Sequence, residues 1–554
     1  MGGNRSGTVV RSVLKYASWL WVHSKGARWQ VIVNVLLGTI NVALNMAFIL
    51  ICKRMVDVAT GVHDGVLLNW VLWAVGVTIT RLAVSAFNVR LENLTNSRMN
   101  FSIRSELYSL VMQEEWLGKD RRHSGDVINR LETDVSTVTG VITSDVPQIF
   151  TTLLQMVAAI VILCTMDWKL AILLVLITPL FLLFSRLFFR KMRRMTKGIR
   201  ESESKVQSHL QESIRHKLVI RSMENQIRMQ ERLDELQSTE YGQVVERTNF
   251  NVFARTMVSA SFAAGYLSAF IWGAYGIAMR GMTFGVMTSF LQLVGQIQRP
   301  VVSLMQQIPN LVYASASIDR LMELEEAPLE ETGNPVKLSA PIGIKLEGVD
   351  FTYPDGERPV LQGFSFDFKP ETSTAIIGET GSGKSTIIRL MMALLKPLSG
   401  KVTLYNQDGE VPASPATRCN FVYVPQGNTL LSGTVRENLM MGKPDATDDE
   451  MWEALDTAAA EFVRNLPDGL DTVCGEGGTG LSEGQAQRIA IARGLLRPGD
   501  ILLLDEFSSS LDPETEDRLL DNLETKTAGK TLVYITHREK ITKICDCYCR
   551  VSRN

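Results

Sequence analysis

The stretch AIIGETGSGKSTIIRLM, Ala375 to Met391, runs from an apolar segment through a glycine-rich turn into a helical pattern. Its spacing, Gly378-x-x-x-x-Gly383-Lys384-Ser385, with a strand before it and a helix after it, is the context that a P-loop requires. Gly378, Gly381 and Gly383 let backbone N–H groups close around a phosphate at a helix N-terminus, where the peptide dipoles favour anions. Thr380, Ser382 and Thr386 belong to the same loop and first turn. Lys384 is expected to reach the β- and γ-phosphates of a nucleotide, and Ser385 to ligate Mg²⁺. Further on, ILLLDE (Ile501–Glu506) reads as a buried parallel strand ending in two carboxylates. Asp505 is placed to hold Mg²⁺, directly or through water. Glu506 points to the other side of the backbone, where it can polarise an attacking water.

The chain around these motifs has 554 residues, 45% of them hydrophobic, enough for two or more domains. Charge is uneven: residues 1–330 hold 34 Lys and Arg against 26 Asp and Glu, whereas the remainder holds 23 against 33. A basic, apolar first part and an acidic second part imply a membrane region followed by a soluble domain. Seven scattered cysteines without a CxxC pair argue against a disulfide framework. Cys545, Cys547 and Cys549, in CDCYC, read as a strand rather than a metal tract, and the loose myristoylation pattern MGGNRS reads as chance.

Six apolar stretches are long enough to span a bilayer, at roughly 29–52, 66–87, 146–166, 168–189, 256–279 and 284–308. Only MDW separates the third from the fourth and RGMT the fifth from the sixth, whereas 88–145 and 190–255 are long, polar and helix-patterned. Arg11, Lys15, Lys25 and Arg28, with the cluster FFRKMRRMTKGIR after the fourth stretch, place both termini and both long loops on the cytoplasmic side. The expected order is a transmembrane domain over 1–325, a Pro- and Glu-rich linker over 326–340 and a nucleotide-binding domain over 341–554. The fold class is thus an α-helical membrane domain of six transmembrane helices with long cytoplasmic extensions, plus an α/β P-loop domain.

Taken in order, these motifs and spans resemble the ATP-binding cassette of ABC transporters fused to the membrane domain of a type I exporter, as in a half-transporter. The resemblance implies that Tyr353 in FTYPDG stacks on adenine and that Gln426 in VYVPQGN senses Mg²⁺ and couples to the membrane domain. It implies a D-loop at SSLD, ending in Asp512, and a switch histidine at His537 in YITHR. The sequence GEGG (Gly475–Gly478) sits where exporters carry a loop touching the membrane helices. ATP and Mg²⁺ are the implied ligands, with no nucleic acid among the partners, and a bacterial cytoplasmic membrane is the expected location. Catalysis would rest on Glu506, His537 and Gln426.

In this family two cassettes sandwich two ATP molecules between one P-loop and the partner's signature LSGGQ, so a chain with one cassette implies a dimer. Here the signature reads LSEGQ, with Ser482, Gly484 and Gln485 kept and glutamate at 483. Ser482 and Gln485 also form the pattern of a capping box at a helix start. Glu483 in the first turn gains roughly 0.3–1 kcal/mol from the helix dipole. Aimed at a γ-phosphate about 6 Å away it would meet about 3 kcal/mol of repulsion per unit charge, so its rotamer decides. A homodimer is favoured. The alternatives are a subunit of a heterodimeric exporter with one weakened site, and a non-transporting ATP-gated sensor or channel.

In the sixth stretch Gln292, Gln296, Arg299, Ser303 and Gln306 form one polar stripe, and in the first Asn34, Asn41 and Asn45 do likewise. Such groups face either an aqueous cavity or a neighbouring helix. With Arg81 in the second stretch they are the candidates for a substrate pathway, with no signature of a particular cargo.

Overall fold

A computed structural model describes residues 15–116, 124–331, 333–354, 356, 358–475 and 480–552, and only the backbone of 173–190, 280 and 308. The MGGNRS pattern, Arg11 and residues 476–478 of GEGG lie outside the described residues. The chain forms two compact units, Met1–Tyr108 with Ile128–Leu324, and Ser109–Val127 with Glu325–Asn554.

The first unit is helical: α1 (Arg28–Ala59), α2 (Leu67–Gln113), α3 (Ser124–Met166), α4 (Trp168–Arg215), α5 (Gln226–Arg280) and α6 (Phe284–Glu325). Each expected apolar stretch falls on one of them. Among the described residues, α1, α2, α3 and α5 are apolar enough over a long enough window to cross a membrane. The apolar run of α4 coincides with 173–190, and Gln292, Gln296 and Arg299 interrupt that of α6. At 1.5 Å per residue the 55 residues of α5 extend about 80 Å, far beyond the roughly 30 Å of a hydrocarbon core. The polar segments between the apolar stretches are therefore largely continuations of the membrane helices.

Met46, Leu163, Leu170, Ala269, Phe290 and Leu293 form the buried core where α1, α3, α4, α5 and α6 meet. Asp167, in the short MDW turn, caps α4 by accepting from the N–H groups of Lys169 (2.9 Å) and Leu170 (3.2 Å). Its other oxygen accepts from Trp272 Nε1 at 2.9 Å, which ties the turn to α5.

Two π-helical segments, Arg130–Asp134 and Val141–Asp145, interrupt α3. A π turn displaces carbonyls from the i→i+4 ladder. The Thr143 carbonyl, in the second segment, accepts from Asn34 Nδ2 at 2.9 Å. In the first segment the buried Asp134 carboxylate accepts from Arg320 (2.7 and 2.5 Å) and from the Ser317 hydroxyl (2.8 Å). Arg130 donates to Glu323 at 2.8 Å and to the Arg320 carbonyl at 3.0 Å. The N-terminal part of α3 is thus fastened to the last turns of α6 by ion pairs and hydrogen bonds.

The second unit holds eleven strands among its described residues. In chain order they are β1 (Gly343–Phe351), β2 (Leu361–Phe368), β3 (Ser373–Gly378), β4 (Ser399–Tyr405), β5 (Glu410–Pro412), β6 (Phe421–Val424), β7 (Gly433–Thr434), β8 (Val473–Cys474), β9 (Ile501–Asp505), β10 (Thr531–Ile535) and β11 (Cys547–Val551). An antiparallel sheet has the order β2-β1-β4-β5, and a parallel sheet the order β11-β3-β10-β9-β6. Every residue of β9 is buried, which is why Ile501–Leu504 is an unbroken apolar run rather than an alternating one. Because β3, β6, β9 and β10 are parallel, their carboxyl ends open on one edge of the sheet, where an α/β domain binds its ligand. The CDCYC segment enters the sheet as β11 beside β3, with Cys549 buried and Cys545 just before the strand. Among the described residues no group of three His, Cys, Asp or Glu is arranged to hold a metal.

Asp134 is buried, and Arg320 is its charged partner. Arg320→Met is expected to cost about 1–3 kcal/mol by leaving that carboxylate underpaired, less than a fully buried pair because Arg320 is partly exposed. Thermal unfolding of the detergent-purified chain should fall accordingly, and the Asp134→Asn, Arg320→Met double variant should recover at least part of the loss.

Candidate active site

The glycine-rich turn closes where β3 ends and α7 (Lys384–Met391) begins. Gly381 and Gly383 take φ of 83° and 99°, the left-handed region that glycine enters without strain. A Cβ on Gly383 would also lie 2.8 Å from Val360 Cγ1, so the close approach excludes a side chain there. Lys384 Nζ donates to the carbonyls of Gly378 and Glu379, both at 2.9 Å, so it curls over the loop of which Thr380 is part. Burial lowers the Lys384 pKa, and the negative charges of Glu506 and Asp505 oppose that shift. The Ser382 hydroxyl is buried with no hydrogen-bond partner among the described residues.

Asp505 ends β9 on the same edge and is 3% exposed. Burial raises its pKa above the ordinary carboxylate range, while the Ser385 hydroxyl draws it back down. Its Oδ1 has no hydrogen-bond partner among the described residues. A half-satisfied carboxylate oxygen beside a serine hydroxyl at the end of a P-loop is a hard oxygen-donor set of the kind that suits Mg²⁺. The residues present fit that ion.

Glu506 is a non-glycine residue in the left-handed region, with φ of 46°. That conformation costs about 1–2 kcal/mol, and three bonds hold it. Its N–H donates to the Ile535 carbonyl at 3.0 Å, and its carbonyl accepts from Gln487 Nε2 and from the Ser509 N–H, both at 3.2 Å. The carboxylate is thereby directed at two other candidates. Gln426 Nε2 donates to Oε2, and His537 Nε2 lies 3.5 Å from Oε1. The three residues expected to carry catalysis converge on one side chain.

Tyr353 follows β1, and its hydroxyl lies 3.0 Å from Thr386 Oγ1 and accepts from Arg389 Nη1 at 3.1 Å. The expected adenine platform therefore stands beside the P-loop helix. At the signature, α8 (Glu483–Leu496) starts with the expected capping box. Gln485 N–H donates to Ser482 Oγ at 3.2 Å, and Ser482 N–H donates to Gln485 Oε1 at 2.9 Å. Gly484 faces the Ser510 carbonyl, which a Cβ would approach to 2.7 Å, so position 484 has no room for a side chain. Glu483 is exposed and makes no hydrogen bond or ion pair among the described residues. Asp512 accepts from the Thr515 N–H at 3.0 Å and caps α9 (Pro513–Lys526), and those bonds lower its pKa.

Sequence reasoning missed three supports of this site. Gln487 is fully buried and holds the Glu506 carbonyl. A glutamine on the buried face of an apolar helix was the available signal. Arg493 donates to the Thr429 carbonyl (2.9 Å) and hydroxyl (2.7 Å), anchoring the loop after Gln426 to α8. Arg389 reaches Tyr353 from the far end of α7.

In the first unit the candidate pathway residues divide. Asn34 is buried and bonded to Thr143, the helix-packing outcome. Gln296 accepts from Gln155 Nε2, and Asn45 accepts from Arg81 Nη1 at 2.7 Å. Asn41, Gln292 and Ser303 are half-buried and Arg299 is exposed. On the opposite face of α6, Phe290, Leu293, Val294 and Ile297 are buried.

Comparison with known proteins agrees with both units. Residues 31–301 match the ABC transporter transmembrane region and residues 361–509 match the ABC transporter family model. The uncharacterized ABC transporter ATP-binding protein YknV of Bacillus subtilis is 30% identical over 511 residues, covering 91% of this chain and 84% of that protein. The putative multidrug export ATP-binding/permease protein YgaD of the same organism is 28% identical, covering 92% and 91%. A multidrug resistance ABC transporter ATP-binding and permease protein of Lactococcus lactis is 28% identical, covering 92% and 86%. The ordered ATP-binding motifs, the membrane-spanning helices and these matches together make the chain a member of the ABC transporter family, with a transmembrane region and an ATP-binding cassette fused in one half-transporter of the exporter type.

Proposed function

We propose that this chain hydrolyses ATP to drive export across a bacterial cytoplasmic membrane, working as a homodimer by alternating access with both termini in the cytoplasm. The observation that carries this reading is the convergence of Gln426 and His537 on Glu506, next to the buried Asp505. A chain that only bound nucleotide would have no need of a strained, water-facing carboxylate held in one orientation. Relatives named for multidrug export, matched over 92% of this chain, make amphiphilic drugs the first substrate class to test.

The geometry supports the following division of labour. Lys384 and the amides of the P-loop hold the β- and γ-phosphates, and Tyr353 supports the base. Ser385 and Asp505, with Gln426 in reach of Glu506, are the residues that would hold Mg²⁺, which supplies charge neutralisation on the phosphate oxygens. Glu506 accepts a hydrogen bond from the attacking water and increases its nucleophilicity, and His537 faces the same water and the γ-phosphate. The N–H groups at the start of α8, whose first turn is ordered by Ser482 and Gln485, meet the γ-phosphate of the partner's nucleotide. In the membrane unit Gln292, Gln296, Arg299 and Ser303 line the substrate path, with Asn41, Asn45 and Arg81, while Asn34 supports the helix packing beside it.

Reconstituted alone in liposomes, the chain is expected to hydrolyse ATP faster when an amphiphilic drug is added. Glu506→Gln should keep nucleotide binding, stop turnover and trap a closed dimer, since it removes the chemical step and leaves the phosphate cradle. A Glu506→Gln chain that turns over near the parent rate, or stays monomeric with ATP and Mg²⁺, overturns the reading.

The raised pKa of Asp505 sets a pH dependence. Mg²⁺ needs the ionised carboxylate, so protonation competes as pH falls through that pKa, at a higher pH than the ordinary value of about 4. Mg²⁺-dependent binding of a fluorescent ATP analogue should weaken there in the parent. In Asp505→Asn it should be weaker by about tenfold or more and should lose that pH sensitivity.

Because Glu483 is exposed, Glu483→Gly should change the ATPase rate by no more than a few-fold, as the carboxylate is hydrated and screened. A gain well above about fivefold would show that it repels the γ-phosphate and would favour a heterodimer.

A further inference from the structure

The residues just beyond the second membrane helix are built into the cassette unit. Gln113 ends α2, and its carbonyl accepts from the Glu330 N–H at 2.8 Å. The Glu115 N–H donates to the Pro328 carbonyl at 2.8 Å, so 113–115 and 328–330 form a short antiparallel pair around Glu114 and Leu329. That pair is fixed to the C-terminal end of α7. Arg418 grips the Glu330 carboxylate with two bonds, at 2.7 and 2.5 Å, and donates to the carbonyls of Met392 (2.8 Å) and Ala393 (2.7 Å). Lys396 pairs with Glu115 at 2.9 Å. The helix whose first residue, Lys384, faces the phosphates is held at its other end by the continuation of a membrane helix.

One side chain of that continuation reaches further. The Arg389 guanidinium lies over the Trp116 ring, 4.9 Å from its centroid, and Trp116 packs against the core of the β1–β2 layer. An arginine stacked on an aromatic face keeps its in-plane N–H groups free for directed hydrogen bonds. Arg389 uses one on the Tyr353 hydroxyl at 3.1 Å, and Thr386 meets the same hydroxyl at 3.0 Å. On its other side Tyr353 meets Phe351 edge to face, with centroids 4.9 Å apart. The Tyr353 ring is therefore set by three contacts, with Phe351, Thr386 and Arg389, and Trp116 fixes the plane of the last.

We propose that Trp116 is a positioning residue for the nucleotide base: through Arg389 it sets the Tyr353 ring on which adenine stacks, so that the cytoplasmic end of α2 and base binding in the same chain act on each other. The proposal rests on the nucleotide site described above. It goes beyond it by placing a residue outside the cassette sequence in the control of base binding. Coupling of this kind is reciprocal: whatever displaces 113–116 alters adenine affinity, and adenine in turn biases where 113–116 sits.

The test measures displacement of a fluorescent ATP analogue from the purified full chain by ATP and by inorganic tripolyphosphate, which has no base. Trp116→Leu is expected to weaken ATP about 3- to 10-fold and to leave tripolyphosphate within twofold. Trp116→Phe, which restores an aromatic face, should stay within twofold of the parent for both. Arg389→Lys, which keeps the charge without the planar fork, should behave like Trp116→Leu. In a Tyr353→Phe background, where the relaying hydroxyl is gone, Trp116→Leu should add less than a further twofold. Equal losses for ATP and tripolyphosphate, equal effects of Leu and Phe, or full additivity with Tyr353→Phe each overturn the proposal. Lys384→Ala separates the two levels, because it should lose both ligands. A parent chain that binds neither ligand refutes the nucleotide site itself, whereas a parent that binds both with Trp116→Leu unchanged refutes only the role of Trp116.

Discussion

A carboxylate at the end of an all-apolar strand is unfavourable to bury, and Asp505 is such a group. Its raised pKa means that the folded state holds a proton more readily than the unfolded chain, so the fold alone loses stability as pH rises through that value. A divalent cation held there would offset this, because it would favour the ionised form. Much of the cassette can be understood as the scaffold that keeps this group desolvated. The five-stranded parallel sheet surrounds β9 on both sides, α7 delivers Ser385 and Lys384, and the chain after β9 turns at once to place Glu506. Ligand binding and local stability are one equilibrium at this edge.

Much of this edge was legible because its chemistry is written in contiguous residues. The glycine spacing, the apolar strand ending in two carboxylates and the S-x-x-Q cap each need only a few neighbouring positions. The six helices were equally readable from apolar length. What escaped depends on pairs far apart in sequence, such as Gln487 with Glu506 or Arg493 with Thr429, for which a single residue type carries no address. The π segments of α3 leave no compositional mark, and their partners in α1 and α6 lie about one hundred residues or more away. Asp512 is a different case. Asp-Pro-Glu-Thr is a readable helix start, yet its place in the D-loop drew attention to the nucleotide instead of the cap.

The membrane unit uses two different means of cohesion. Around Phe290 and Leu293 the helices meet through apolar side chains, whereas Asp134, Arg130, Arg320 and Glu323 join α3 to α6 through charge and hydrogen bonds. In hydrocarbon the apolar contacts gain nothing from excluding water and rely on shape, while a charge cluster in the aqueous extensions is directional and fixes register. Long helices that leave the bilayer therefore carry their alignment in polar contacts, where sliding by one turn would leave buried charges unpaired.

The left-handed backbone of Glu506 has a consequence for how this cassette varies. Glycine at that position would relieve the conformational strain, keep the bonds made by the main-chain N–H and carbonyl, and remove the carboxylate proposed to polarise water. Selection for stability and selection for a carboxylate thus oppose each other at a single residue. A copy of this gene released from the need for that carboxylate would gain robustness by losing it, and the loss would be hard to reverse.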